Sequence, residues 1–230
     1  MKKARWGLLS TANINRRVIP VIRASKRSEL VAVASREQEK ADAYATKWEI
    51  PRAFGSYQSM LDSGTVDVVY IGLPNHLHAE WSIRAMQAGV HVLCEKPFAI
   101  TALEVERMMT VSQQTGMHLT EAFMYRHHPQ TKLAGELVHG GKLGEVVTVR
   151  SIFNFSLHNR DNVRLVPEYG GGALWDVGVY PLSFAQFIMG SPPRWVAATQ
   201  WLGDTNVDES FSGLMNYDGE RTAQIFASFR

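Results

Sequence analysis

One cysteine, Cys94, is all that the chain of 230 residues contains. A lone thiol closes no internal disulfide and builds no multi-thiolate zinc site, which points to a reducing compartment. Charge of one sign is equally scarce. The 24 Lys and Arg against 22 Asp and Glu leave a formal +2, too little for the basic stripe that nucleic acid or an anionic membrane would favour. No run of ~18 apolar residues occurs, so no segment reads as a bilayer-spanning helix. Behind Lys2 and Lys3, the stretch from Trp6 to Asn15 carries Ser10, Thr11, Asn13 and Asn15 and ends at Arg16 and Arg17, which denies it the apolar core of a signal peptide. Cytoplasm is the expected location. With 18 Gly, 9 Pro, 45% apolar and 20% charged residues, and no repeat or low-complexity tract, the composition describes a soluble globular chain.

At ~150 residues per domain, this length predicts one large core or two unequal ones. Up to residue 122, short β-branched runs at 4–9, 30–35, 66–72, 90–94 and 118–122 alternate with helical patterns at 13–24, 38–48, 56–62, 78–88 and 102–115. That rhythm predicts a parallel sheet covered by helices on both faces, with the continuous apolar run at 66–72 as its centre. Thr101 and Glu104 form a capping box at the start of the last helix. Pro129 starts another helix, which stops at Gly140 and Gly141. From Val147 to Phe155 apolar and polar residues alternate with period two, the mark of a strand with one wet face. Strands at 194–202, 209–217 and 221–230 follow, the last two joined by Asp218 and Gly219, with a helix at 174–189 inserted before them. The fold class is therefore α/β followed by α+β: residues 1–122 with a parallel sheet, then residues 123–230 with an open, largely antiparallel sheet, cut short at the carboxyl end. The chain stops within an apolar run, leaving an edge that either a longer protein or another copy would close. On these strands Trp195, Trp201, Phe211 and Tyr217 have packing as their ordinary explanation.

The first strand runs into the first helix through Ser10-Thr11-Ala12-Asn13-Ile14, small residues whose backbone N–H groups can meet a pyrophosphate. The glycines of G-x-G-x-x-G are absent, replaced by Ser10, Ala12 and Asn15, so an ordinary tight turn stays open beside the phosphate site. The second strand ends in Ser35-Arg36 where an NAD site usually carries a carboxylate. A hydroxyl beside a guanidinium suits a 2′-phosphate, so the cofactor expected is NADP, with NAD less favoured. A solvated charge at a strand end is the alternative for Arg36.

Two strand ends, Gly72-Leu73-Pro74-Asn75-His76-Leu77-His78 and Cys94-Glu95-Lys96-Pro97, carry a resemblance that spans essentially the whole chain. With Glu121-Ala-Phe-Met-Tyr125-Arg126 and Gly170-Gly-Gly-Ala-Leu-Trp-Asp176-Val-Gly-Val-Tyr180-Pro181, they are similar to the Gfo/Idh/MocA family of oxidoreductases. The resemblance implies a Rossmann domain over 1–122 that binds NADP, and a substrate and oligomerisation domain over 123–230. It also implies hydride exchange between a nicotinamide and a carbonyl or hydroxyl substrate at the carboxyl ends of the strands. Leu73, Pro74, Asn75, His78, Glu95 and Lys96 then join the cofactor site, with Asn75 and His78 holding the loop near the nicotinamide ribose.

Three residues fit the chemistry. Lys96, kept extended by Pro97, can stabilise a developing alkoxide; a lysine snorkelling from a strand end is its structural alternative. Tyr180 stands where the family often has histidine. A phenol titrates near ~10, so it needs a neighbouring cation such as Lys96 to serve as general base. Tyrosine at this place resembles the branch with dihydrodiol dehydrogenase, NADP-dependent xylose dehydrogenase and glucose–fructose oxidoreductase, whose substrates are mostly sugars or vicinal diols. Closing a helix turn against the core is the alternative for Tyr180. Asp176, four residues earlier, shares its helix face and can bind a substrate hydroxyl or orient the pair, or else serve the helix dipole. The glycines before it give a ligand room or merely loosen the chain. Arg126 is a candidate substrate contact, whereas His127 and His128 read as a helix start. No metal is expected, since the Asn75, His76 and His78 group lacks a third thiolate or carboxylate. The resemblance also implies a homodimer or larger oligomer through the second sheet. An NADP-dependent oxidoreductase acting on a sugar, polyol or vicinal diol is the leading reading. A catalytically silent NADP(H)-binding sensor or scaffold is the alternative. Ser35, Arg36 and Tyr180 disfavour NAD-dependent glycoside hydrolysis.

Overall fold

The computed structural model describes residues 2–230; Met1, first residue of the expected nucleotide-binding domain, lies outside them. The chain divides into two compact units, Met1–Ala122 and Phe123–Arg230.

The first unit alternates strand and helix: β1 (Ala4–Leu9), α1 (Asn15–Ala24), β2 (Ser28–Ala34), α2 (Gln38–Trp48), β3 (Arg52–Phe54), α3 (Tyr57–Asp62), β4 (Val68–Ile71), α4 (His78–Gln87), β5 (His91–Cys94), α5 (Ala102–Thr115) and β6 (Leu119–Glu121). All pairings are parallel and the order is β3-β2-β1-β4-β5-β6. Successive side chains leave a strand on opposite faces, so Leu9, Ala34 and Ile71 pack into one core while Leu8, Val33 and Tyr70 pack into the other. This double burial is why the β4 run is continuously apolar. The capping box at α5 forms, with Glu104 N–H on Thr101 Oγ1 at 3.2 Å and Thr101 N–H on Glu104 Oε2 at 3.1 Å. Strand β3, three residues between Pro51 and Gly55, is absent from the sequence expectation because it is too short to show a period. Strand order reverses between β1 and β4, and the crevice at the carboxyl end of such a switch point is where open α/β sheets bind ligands.

The second unit contains α6 (Pro129–His139), β7 (Thr148–Asn154), a π-helical turn Leu174–Gly178 running into α7 (Val179–Met189), then β8 (Trp195–Leu202), β9 (Asp208–Asn216) and β10 (Thr222–Ser228). The sheet order is β7-β10-β9-β8. Strands β8, β9 and β10 are antiparallel, whereas β10 runs parallel to β7, from Thr222 beside Thr148 to Ser228 beside Asn154. The expectation that the last strand is an open edge is therefore corrected: both of its hydrogen-bonding rows are taken, and the edges are β7 and β8. Helix α7 covers β7 and β10, closing a core of Val149, Ala185, Met189, Met215, Ala223 and Ile225. Tyr217 packs into that core, but every residue of β8 is exposed. Trp195 and Trp201 keep 49% and 45% of their surface, and Trp201 lies under the Arg230 guanidinium at 4.0 Å.

Candidate active site

The turn after β1 is shaped by its first polar residue. Ser10 adopts φ +149°, a region L-residues rarely enter, and its hydroxyl donates to Gly72 O at 3.0 Å while accepting Ala12 N–H at 3.3 Å. Buried Asn15 donates Nδ2 to Ser10 O at 2.8 Å, so it braces the turn rather than opening it. A Cβ on Gly72 would lie 3.2 Å from Ile14 and 3.5 Å from Asn15 Oδ1, so the loops after β1 and β4 approach closely. Helix α1 has no side-chain cap and no acidic residue in its first turn. Among the described residues, the N–H groups of Thr11, Asn13 and Ile14 take no intramolecular partner. Uncapped donors at the positive end of a helix fit an anionic phosphate.

At the end of β2 the two residues expected to meet a 2′-phosphate differ. Ser35 is buried and continues the sheet through its N–H to Phe54 O at 2.9 Å, whereas Arg36 is exposed. The charge of Arg36 reaches Tyr57, opposing the rise that burial imposes on that phenol's pKa. Arg36 is thus the member of the pair placed to meet an anion.

The loops after β4 and β5 hold Leu73, Pro74, Asn75, Glu95 and Lys96. Leu73 is buried, while Pro74, Asn75, Glu95 and Lys96 are half-buried. Pro74 O accepts Leu77 N–H at 2.9 Å, closing the short helical turn Asn75–Leu77. The Lys96–Pro97 bond is cis. His78 is fully buried, with Nδ1 2.7 Å from Pro97 O and Nε2 2.8 Å from Leu73 O. Burial is the largest influence on its pKa and holds it below the ordinary value, against the opposite pull of both carbonyls and Glu95. His78 therefore holds two loops together and presents no surface of its own to a cofactor. Glu95 accepts the Tyr70 hydroxyl on Oε1 and the Lys96 N–H on Oε2 at 3.2 Å, and Phe98 N–H reaches Glu121 Oε1 at 2.9 Å. Sequence reasoning missed Tyr70 and Glu121 as braces of the lysine loop, since the contacts are long-range and neither residue stands out locally.

In the second unit Tyr180 is half-buried among aromatic rings, with Phe123, Tyr125 and Phe153 centroids at 5.6, 5.8 and 5.4 Å. Tyr125 donates its hydroxyl to Ser183 Oγ at 2.8 Å. Tyr180 also lines a cavity of about 870 Å³ whose walls include Met124, Tyr125, His128, Ile152 and Phe153. Mostly apolar walls with a few polar groups suit a small organic ligand.

Asp176 sits in the π-helical turn Leu174–Gly178, just before α7, which carries Tyr180. Its Oδ2 accepts Arg164 Nε at 2.5 Å. Arg126 lies over the Phe187 ring at 5.3 Å, two helical turns along α7 from Tyr180. His128 caps α6, its Nδ1 accepting Gln130 N–H at 3.2 Å. Among the described residues, no group of three or more His, Cys, Asp or Glu is placed to hold a metal ion. No described helix is long and apolar enough to cross a membrane.

A six-stranded parallel sheet with an uncapped helix start at its switch point, followed by a unit with a mixed sheet, defines a nucleotide-binding α/β protein with a second domain. The chain belongs to the Gfo/Idh/MocA family: residues 4–123 match the oxidoreductase family with an NAD-binding Rossmann fold, and residues 131–230 match the GFO/IDH/MocA C-terminal domain. It is 43% identical over 226 residues to D-xylose 1-dehydrogenase (NADP(+)) 2 of Haloferax volcanii, covering 97% of this chain and 69% of that protein. It is 31% identical over 224 residues to trans-1,2-dihydrobenzene-1,2-diol dehydrogenase of Xenopus tropicalis, covering 96% and 68% of the two. The fold superimposes with a TM-score of 0.93 on a 3-ketoreductase from Actinomadura kijaniata in complex with NADP and TDP-benzene, at 32% identity, covering 100% of this chain and 71% of that one.

Proposed function

We propose that the chain is an NADP-dependent oxidoreductase that exchanges hydride with a sugar, polyol or vicinal diol. The observation that carries this reading is the uncapped start of α1 at the switch point of the first sheet, in the same unit as the braced lysine loop after β5. The names of the relatives support it. Residues 1–122 are the NADP-binding domain and residues 123–230 the substrate domain. Thr11, Asn13 and Ile14 offer backbone donors to the pyrophosphate, Arg36 offers its guanidinium to the 2′-phosphate, and Leu73, Pro74 and Asn75 border the nicotinamide side. Bound NADP supplies the hydride acceptor. Lys96 stabilises the alkoxide oxygen of the substrate by its charge, and the Tyr180 hydroxyl moves the proton. Asp176, tied to Arg164, orients its helix turn and transfers no proton. The second sheet, on which every residue of β8 is exposed, is the surface through which copies of the chain associate, and the cytoplasm is where the enzyme works.

The test is NADPH titration for binding, followed by NADP+-dependent turnover on a panel of aldoses and diols that includes D-xylose. Micromolar NADPH binding is expected, with loss of turnover and retained binding in Tyr180→Phe. Turnover that survives Tyr180→Phe removes that phenol from the mechanism. The replacement of the motif glycines by Ser10, Ala12 and Asn15 supports a second reading, a catalytically silent NADP(H) sensor or scaffold. Tight binding with no substrate oxidised or reduced would favour it.

A further inference from the structure

Resting on the oxidoreductase reading above, we infer that His78 is a positioning residue that holds Lys96 in place by clasping the loops after β4 and β5. Three buried polar side chains stitch the carboxyl edge of the first sheet together. Asn15 holds Ser10 O, and the Ser10 hydroxyl holds Gly72 O. The next carbonyl, Leu73 O, meets His78, whose other ring nitrogen meets Pro97 O, one residue after Lys96. The loop after β4 is thus a common beam that joins the phosphate turn to the lysine loop. His78 is its link on the lysine side.

The burial of His78 makes the link costly to break. Its ring has no exposed surface and a backbone carbonyl lies at each of its nitrogens; a neutral imidazole carries one N–H, so replacing the ring leaves a buried carbonyl without its donor, and that carbonyl finds a new partner by moving its loop. Glu95 accepts the N–H of Lys96 itself and Glu121 accepts that of Phe98, the residue after Pro97, while the Pro97 carbonyl has His78 as its side-chain partner. Loss of His78 therefore releases the backbone at Pro97, one residue after Lys96.

The experiment compares the full chain carrying His78→Phe, which keeps a ring without donors, with His78→Gln, whose amide carries two N–H donors. Turnover is followed with D-xylose and NADP+, NADPH affinity by fluorescence, and Lys96 exposure by the rate of acetylation with acetic anhydride, read by mass spectrometry against Lys47. For His78→Phe, kcat is expected to fall at least tenfold with the NADPH Kd within threefold of the parent. Lys96 acetylation should rise at least threefold relative to Lys47, and His78→Gln should recover most of both losses. A purely structural histidine would lower the melting temperature and leave kcat per folded molecule and the Lys96 rate unchanged, which overturns the inference. Should His78→Phe not fold, His78→Asn, with a shorter amide, replaces it, and Lys96 rates equal to the parent in both amide variants overturn the inference. If the parent turns over no sugar or diol, the oxidoreductase reading falls, while the acetylation rates still decide the role of His78.

Discussion

Arg5 and Asp67 show how much a half-exposed pair contributes. The carboxylate accepts Arg5 N–H at 2.9 Å, Nε at 3.1 Å and Nη2 at 2.6 Å, and this pairing holds the Asp67 pKa down to about 2. A carboxylate with a depressed folded pKa adds stability that is complete above the unfolded value near ~3.9 and is lost as pH falls toward the folded one. Both side chains are about a third exposed, at 32% and 34%, so screening reduces the contribution to about 1 kcal/mol. Asp67→Asn is expected to lower stability by that amount in urea melts at pH 7, with the gap to the parent closing between pH 4 and 2. A gap that stays constant across that range would place the loss in packing instead of charge. Gly172 belongs to the same scale. Its φ is +119° and an added Cβ would sit 2.0 Å from Asp208 Oδ1, the carboxylate whose other oxygen accepts Leu174 N–H at 2.7 Å and caps the π-helical turn. Gly172→Ala therefore combines backbone strain with displacement of a cap, an expected cost of about 2 kcal/mol or more in thermal unfolding.

Elements with local signals were legible before the coordinates. The β4 run, the Thr101 and Glu104 box and the hairpin at Asp218 and Gly219 each depend on residues a few positions apart, and each forms. What escaped depends on distant partners. The parallel register of β10 on β7 and the Arg164 to Asp176 pair have no counterpart in local periodicity. Of the candidate site, residue types and their order were readable, whereas the inward turn of His78 and Ser35 was not. A strand end and a buried loop contact look alike in sequence. At the end of β2 this difference yields a prediction, because Arg36 is exposed and Ser35 is not. Arg36→Asp should weaken NADPH binding at least tenfold, since a charge-assisted hydrogen bond contributes about 1.5–3 kcal/mol, and should change NADH binding less than threefold. Equal losses for both nucleotides would show that Arg36 does not discriminate at the 2′ position.

For the whole molecule, the arrangement of donors predicts where a nucleotide leaves its mark. Each unit has its own core, so a ligand held by the first unit raises its stability by mass action, about 2.7 kcal/mol at a hundredfold excess over Kd. The gain should be uneven along the chain. Thr11, Asn13 and Ile14 carry N–H groups with no partner among the described residues, so their amides exchange freely without ligand and acquire acceptors when phosphate is bound. Amides inside β1 and β4 are already bonded within the sheet and respond only through the rise in overall stability. Hydrogen exchange followed by mass spectrometry, with and without saturating NADPH, is therefore expected to show its largest early-time protection in the peptide spanning residues 10–17. Protection confined to the second unit, or spread evenly over the first sheet with none at that turn, would put the nucleotide somewhere other than the α1 start.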